Sequence, residues 1–503
     1  MSTHIAIVVS LFIGLIATAF GAPPVPVEAS DRDSSNPRNV RWNGPVIEWV
    51  GITPRAEVRK LGDKPRAPES DEAGLEIVLR NAGDKDTGVM LILGLPDLPE
   101  GLPVASMTPG QRQTVTVAMK TVDIPYGKSL TLSAAVDSPA DTPEIYDQFP
   151  MHGPDAHRIA LVATEDSWKD GDTRFGSMVR RFRKSLEDLE SLYDVQEVPG
   201  IPMGDESRPV ITDRFRIEHV ETFDPDAGTP ALFAEHPEFD LVIAVNEGGP
   251  LCCFWLEDGD SLHYHSIGHN FLSARGGAEK QGIWSNWGEQ ALWHEIFHYR
   301  GVPDFYIYNI PAGSLPGRSP EGWKLGSSPS TAYLLHEIMN DPYTAPELSW
   351  LSATIVNSKK GVSRVGACEN PEQPFGHMWQ WVPRQLILQV VSGDGAAVEG
   401  VRVYRAKPGG GRDARVQRVA EDAEPMAAAA GASVTLDGDY MNSKAPRNER
   451  ALWLLVEADV KTPSGIKTRW SIVTLLEMNE AFARGSKDAW TFQVNASDLR
   501  AGE

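Results

Sequence analysis

Two histidines and a glutamate past the middle of the 503-residue chain have the spacing of a metal site. His294 and His298 are four positions apart, and Glu295 directly follows the first of them. On an α-helix, residues four apart lie on one face, so both imidazoles can reach a single Zn²⁺. The glutamate then stands beside a water on that metal. The spacing therefore predicts two metal ligands and a general base.

A third protein ligand must come from outside this pair of helical turns. Asp304 follows His298 by six residues, with Gly301 between them. A chain that leaves a helix and turns back at once favours a positive φ, which glycine adopts without steric cost. Asp304 is therefore the predicted third ligand. Glu337 is the alternative, because a distal glutamate on a second helix can complete a zinc site of this kind.

The pattern from His294 to Asp304, HExxHxxGxxD, resembles that of the metzincin zinc metallopeptidases in the variant whose third ligand is aspartate. Ile338-Met339-Asn340 resembles the methionine turn of the same family. The resemblance implies that Met339 forms an apolar floor below the histidines and that Tyr343 donates a hydrogen bond in the transition state. The family's tyrosine comes two residues after the methionine, whereas Tyr343 comes four residues after Met339.

Three more histidines form a cluster upstream of the motif, at His263, His265 and His269. In a strand the first two share a face, which would allow a second metal site. Their spacing matches no known ligand pattern. The alternative interpretation is that they are polar strand positions or line a substrate cleft.

The motif requires a helix, and the apolar pattern predicts one from Trp287 through Tyr299, ended by Gly301 and Pro303. Upstream, a strand at Arg158–Thr164 precedes apolar residues at helical spacing between Phe175 and Tyr193. Several further strands follow before the motif. This order predicts the fold class: a central α/β (α+β) metzincin-like zinc metallopeptidase domain between two all-β sandwich domains.

The regions on either side alternate with period two, as strands do. Arg80–Gly83 and Met107–Gln111 resemble landmarks of cell-adhesion-type immunoglobulin-like modules. Ser392–Val403 resembles the opening of transthyretin-like or carboxypeptidase-regulatory-like modules. The predicted organisation is a signal peptide at 1–21, a linker at 22–44, an Ig-like sandwich at 45–153, the metallopeptidase domain at 154–383 and a C-terminal sandwich at 384–503.

Charge and the first residues restrict location and partners. The chain has 47 Lys and Arg against 69 Asp and Glu, a net charge of −22 that repels phosphate backbones, so we exclude nucleic acid as a partner. The apolar run Ile5–Phe20 is shorter than a membrane span of about 20 residues and predicts a cleaved export signal, with an uncleaved anchor as the alternative. No membrane insertion of the mature chain is expected. Cys368 could pair with Cys252 or Cys253.

These observations predict a secreted, periplasmic or cell-surface zinc endopeptidase that acts on polypeptides. Zn²⁺ held by His294, His298 and Asp304 would polarise the scissile carbonyl and a water, and Glu295 would move the water's proton to the leaving amine. The alternative is a secreted adhesion or surface-binding protein with a degenerate or structural metallopeptidase-like domain. The intact Glu295 counts against that alternative, and the sequence leaves the oligomeric state open.

Overall fold

The computed structural model describes residues 27–28, 40–41, 44–53, 71–93, 101–120, 123, 128–136, 145–152, 156–194, 211–222, 224, 239–246, 265–268, 286–302, 305, 310–311, 330–332, 337–340, 348–358, 378–408, 417–420, 422–446 and 449–496. The chain forms two compact units. The first comprises Met1–Asp194, Ile211–Tyr299 and Lys360–Val365, and the second comprises Val195–Val210, Arg300–Lys359 and Gly366–Glu503.

The first unit begins with antiparallel sheets. A short pair, β1 and β2, precedes a three-stranded sheet of order β3-β4-β7 and a four-stranded sheet of order β6-β5-β8-β9. Alternate residues of both sheets, among them Ile47, Leu75, Leu91 and Leu132, pack into one buried core, which makes the two sheets a sandwich. The strands are Val27–Glu28, Val40–Arg41, Pro45–Thr53 (β3), Glu72–Asn81, Thr87–Leu93, Leu102–Met107, Arg112–Lys120 (β7), Lys128–Val136 and Ile145–Met151 (β9).

A parallel sheet and three helices complete the described part of this unit. The strands are β10 (His157–Ala163), β11 (Phe215–Thr222), β12 (Leu241–Asn246) and β13 (His265–Gly268), in the order β11-β10-β12-β13. Every residue of β10 is buried, as expected for a central strand of a parallel sheet covered on both faces. The helices are α1 (Glu165–Phe175), α2 (Met178–Asp194) and α3 (Asn286–Tyr299).

The second unit contains another pair of sheets. Its elements are β14 (Ile310–Pro311), β15 (Ser330–Ala332), helix α4 (Trp350–Ser358), β16 (Gln385–Ser392), β17 (Val398–Arg405), β18 (Lys407–Pro408), β19 (Gln417–Arg418), β20 (Ala427–Ala430), β21 (Ser433–Asp437), β22 (Trp453–Thr462), β23 (Gly465–Thr474), helix α5 (Leu475–Ala483) and β24 (Ala489–Ala496). The larger sheets have the orders β21-β16-β24 and β20-β17-β22-β23. A capping box of Thr474 and Glu477 begins α5.

The fold class predicted from the sequence was wrong. The described residues form 24 strands against five α-helices and one 3-10 helix (Met378–Gln380), so the described part of the chain is mostly β-sheet and does not have an α/β metzincin core. The physical reason lies in how little of the fold the His294–Asp304 motif encodes. A motif specifies the spacing of a few ligands on one helix, whereas the balance of sheet and helix depends on the pairing of every other segment.

Other predictions concern residues outside the described ranges. They include the signal peptide at 1–21, Cys252, Cys253 and Cys368. The domain boundaries near 153 and 383 and the two module resemblances stay predictions. None of the described helices is both long and apolar enough to cross a membrane.

Candidate metal centre

Helix α3 carries the histidine motif, and most of its described side chains, from Leu292 to Tyr299, are buried. Leu292, Ile296 and Phe297 are each at most 3% exposed. Burial of these apolar side chains requires packing against other elements, and α3 packs against α2 and β13. After the helix, Gly301 has a φ of 80°, in the left-handed region that glycine favours. The predicted helix from Trp287 through Tyr299 is confirmed, with its first residue at Asn286.

The three motif side chains meet on one face of α3. The nitrogen and oxygen atoms that His294, Glu295 and His298 could offer to a metal all lie within 4.8 Å of one another. The two imidazole rings are 4.7 Å apart between centroids, with planes at 84°. His294 is 5% exposed and Glu295 is 9% exposed. The cluster is therefore compact and largely shielded from solvent.

This donor set can hold a metal ion. Tetrahedral zinc with bonds of about 2.0–2.1 Å places its ligand atoms about 3.3 Å from one another, so a small closure of these side chains would suffice. The two imidazoles are donors suited to zinc and to other first-row transition metals, and the carboxylate beside them can act either as a further ligand or as a base.

The remaining predicted site residues are only partly described. Asp304, Tyr343, His263 and His269 lie outside the described residues. The backbone of His265 begins β13, but its side chain is not among those described. The third-ligand assignment to Asp304 and the possible second metal site near these histidines therefore stay predictions.

Glu337 and Met339 lie in the second unit, in a turn at residues 337–340. The Glu337 carboxylate is fully buried and accepts hydrogen bonds from the Ser349 N–H at 2.7 Å and from the Ser352 hydroxyl at 2.8 and 3.1 Å. Burial raises the pKa of Glu337, and these hydrogen bonds oppose that rise. Both carboxylate oxygens are thus engaged at the N-terminus of α4.

The buried Met339 is held through its backbone. Its carbonyl accepts a hydrogen bond of 2.8 Å from the Phe305 N–H, and its side chain is fully buried together with that of Ile338. The role of this side chain as a floor for the histidines stays a prediction.

Sequence reasoning missed the groups that hold α3 in place. Trp293 donates from its indole to Ser185, and Tyr299 is hydrogen-bonded to His157. The positions of both aromatic residues, directly before His294 and directly after His298, were a signal available in the sequence. Nothing in the sequence pointed to Ser185 or His157 as their partners.

Comparison with known proteins adds no identification. No protein-family model matches the chain, and no curated protein matches it. Among solved structures, a β-D-glucoside glucohydrolase from Trichoderma reesei aligns at 12% identity and a TM-score of 0.12, over 22% of this chain and 19% of its own. A galacturonate-bound GH2 β-galacturonidase from Eisenbergiella tayi aligns at 14% identity and a TM-score of 0.15, over 42% of this chain and 34% of the galacturonidase chain. A putative β-galactosidase from Bacteroides fragilis aligns at 10% identity and a TM-score of 0.19, over 85% of this chain and 73% of the galactosidase chain. Similarities this low carry no argument about fold or function.

Proposed function

We propose that this protein is an exported zinc-dependent endopeptidase. The observation that carries the proposal is the cluster of His294, Glu295 and His298 on one face of α3, within 4.8 Å of one another. Export is proposed from the apolar run Ile5–Phe20. A polypeptide is proposed as the substrate because a glutamate directly after the first of two helical histidines is the arrangement that zinc peptidases use.

Each motif residue has a distinct part in this proposal. His294 and His298 would hold zinc, and the bound metal would supply Lewis acidity toward a water and a carbonyl oxygen. Glu295 would accept a proton from the attacking water and deliver it to the departing amine nitrogen. Glu295 is only 9% exposed, which favours this role. Because bulk water has little access to a shielded carboxylate, the proton that Glu295 takes up is not readily lost to solvent.

Asp304 is the third ligand that we propose. The alternative, Glu337, already uses both carboxylate oxygens to accept hydrogen bonds from Ser349 and Ser352. A metal ligand at that position would have to give up these bonds inside a fully buried site. Leaving the buried hydroxyl and N–H groups unpaired costs about 1–3 kcal/mol each.

The test combines metal analysis with a protein-cleavage assay on the purified full chain. Wild type should contain about one zinc per chain and cleave an unfolded protein substrate, and a chelator should abolish cleavage. His294→Ala should lose the zinc, since it removes a coordinate bond. Glu295→Gln should keep the zinc and lower kcat by at least about 100-fold, since it removes only the base.

His219→Ala is the matched control, because His219 is a described histidine hydrogen-bonded to Glu221 on β11 and has no part in the cluster. It should keep both zinc and activity. A full zinc content in His294→Ala would overturn the metal-site assignment.

A second candidate function is a secreted surface-binding protein, because paired antiparallel sheets such as those of β3–β9 are an architecture that cell-surface domains use. In that case zinc would have a structural role or be absent. Wild type that binds zinc but cleaves no unfolded protein would favour this candidate over the peptidase. In that case Glu295→Gln should bind zinc as wild type does.

A further inference from the structure

Two buried aromatic residues lie directly before and directly after the metal-binding motif. Trp293 precedes His294 and is 4% exposed, and Tyr299 follows His298 and is fully buried. The indole N–H of Trp293 is 3.1 Å from both the carbonyl and the hydroxyl oxygen of Ser185 in α2. Both polar aromatic groups are therefore turned into the protein interior and engaged there, as buried tryptophan and tyrosine require.

Tyr299 reaches a different element. Its hydroxyl is 2.8 Å from Nδ1 of His157, the first residue of β10. The His157 ring is 2% exposed, stacks on Phe215 at 5.3 Å, and has its Nε2 3.7 Å from a carboxylate oxygen of Asp213. A carboxylate near Nε2 favours a proton on that nitrogen, which leaves Nδ1 to accept the hydrogen bond from the tyrosine.

These contacts lie on opposite sides of the histidine face. Successive residues of an α-helix are rotated by about 100°, so His294 and His298 differ by about 40° in direction. Trp293 then projects about 100° to one side of His294, and Tyr299 about 100° to the other side of His298. Any rotation of α3 about its axis would have to break at least one of the two hydrogen-bonded contacts.

We propose that Trp293 and Tyr299 are positioning residues that set the rotation of α3 and so direct the two imidazoles toward one metal ion. This inference rests on the proposed metal site. Neither side chain is a metal ligand. The contribution is preorganisation: the helix does not have to be reoriented when the metal binds, so more of the coordination energy appears as affinity.

Tyr299→Phe is the decisive variant, because it removes only the hydroxyl and keeps the buried ring. Zinc affinity, measured by competition with a chromogenic chelator, should fall by about tenfold. The visible spectrum of the Co²⁺-substituted protein should change in band position or intensity. If wild type cleaves a substrate, Tyr299→Phe should lower kcat by a larger factor than it raises KM. The reason is that the misdirected imidazoles affect the reacting atoms more than they affect substrate binding.

Two comparisons separate positioning from simple stability. Trp168→Phe is the control, because the Trp168 indole donates to the Glu221 carbonyl at 3.1 Å in the same unit and the motif helix is not involved. It removes a part-buried hydrogen bond of an aromatic side chain outside the motif helix, so it should lower the melting temperature but leave zinc affinity and the Co²⁺ spectrum unchanged. His157→Asn, whose side-chain oxygen can replace Nδ1 as the acceptor, should keep most of the affinity that His157→Ala loses.

The outcomes distinguish this inference from the proposed function. If wild type binds neither zinc nor Co²⁺, the proposed function fails first. If wild type binds both and Tyr299→Phe behaves like Trp168→Phe, the metal site stands and the positioning role is overturned.

Discussion

Individual side chains decide how the candidate metal site could be completed. Glu337 resembles a ligand in the sequence, because it is an acidic residue downstream of a pair of helical histidines. In the structure its oxygens hold the start of α4 through Ser349 and Ser352. The Ser349 hydroxyl also accepts a hydrogen bond of 3.0 Å from the Ser352 N–H, as an N-cap does. Binding of a metal to Glu337 would therefore break the hydrogen bonds that Ser349 and Ser352 donate at the start of α4.

The third-ligand proposal leads to a contrast between two alanine variants. Asp304→Ala should weaken zinc binding by at least about 100-fold, because it removes one of three protein ligands. Glu337→Ala should leave zinc affinity within about threefold of wild type but lower the melting temperature, because it leaves Ser349 and Ser352 without their buried acceptor. Zinc titration and thermal unfolding of both variants check this. The reverse order of zinc affinities would make Glu337 the ligand.

Among the secondary-structure elements, the caps explain where several helices begin. The Thr164 hydroxyl accepts from the Ser167 N–H at the start of α1, and the Ser177 hydroxyl accepts from the Arg180 N–H at the start of α2. Helix α5 has a reciprocal cap, in which the Glu477 carboxylate accepts from both the N–H and the hydroxyl of Thr474. Such pairs satisfy N–H groups that have no partner within the helix.

The α5 cap predicts a pH effect on stability. Burial raises the pKa of Glu477, with a smaller contribution from the nearby charge of Glu480. A carboxyl group whose pKa is higher in the folded state stabilises the fold at low pH, and this contribution is lost as pH rises through the folded-state pKa. Glu477→Gln can still accept both hydrogen bonds from Thr474 but carries no charge at this half-buried position. The variant should therefore be more stable than wild type at pH 7, and the difference should shrink toward pH 4.

Urea unfolding of the full chain between pH 4 and pH 7 measures that difference. Glu424→Gln, at an exposed position of the same unit, is the control and should follow the wild-type pH dependence. If the difference in unfolding free energy between Glu477→Gln and wild type were the same at pH 4 and at pH 7, ionisation of the Glu477 carboxyl would have no effect on stability.

On the scale of the whole molecule, a buried ionic network joins the N-terminal sandwich to the helices of the first unit. Glu48 on β3 is fully buried and accepts hydrogen bonds from Arg112 at 2.7 Å and from the Ser177 hydroxyl at 2.6 Å. Arg112 and its cross-strand partner Arg80 both contact Asp172 in α1. Burial and the charge of Arg112 lower the pKa of Arg80 to about 10. The two facing arginines are tolerated because these carboxylates offset their repulsion.

This network predicts which ion pair stabilises the chain. Glu48→Ala removes a fully buried carboxylate that accepts from Arg112 and from the Ser177 hydroxyl, which should cost about 2–3 kcal/mol of unfolding free energy, because Arg112 is 35% exposed and keeps Asp172 as a partner. Asp488→Asn removes the partner of Arg384 in a pair whose side chains are 89% and 85% exposed, and it should cost less than about 1 kcal/mol. Urea denaturation of the two full-length variants gives both values. Equal effects would mean that burial does not govern the strength of the Glu48 network.

The local part of this structure could be predicted from the sequence because it depends on residues close together in the chain. Four-residue spacing places His294 and His298 on one face of any α-helix, and the helix from Trp287 through Tyr299 followed from its apolar pattern. Period-two alternation likewise predicted strands in the regions 45–153 and 384–503, where β3–β9 and β16–β24 lie.

Only the tertiary structure decided which distant residues support those elements. Ser185 and His157 are 108 and 142 residues from their partners Trp293 and Tyr299, and Glu48 is 129 residues from Ser177. Patterns in the sequence report on neighbours within a few helical or strand turns, whereas these pairs form because whole sheets and helices pack together. The same limit explains why a motif on one helix led to an α/β fold class for a chain that is mostly β-sheet: sheet content is the sum of long-range strand pairings, and no local motif encodes it.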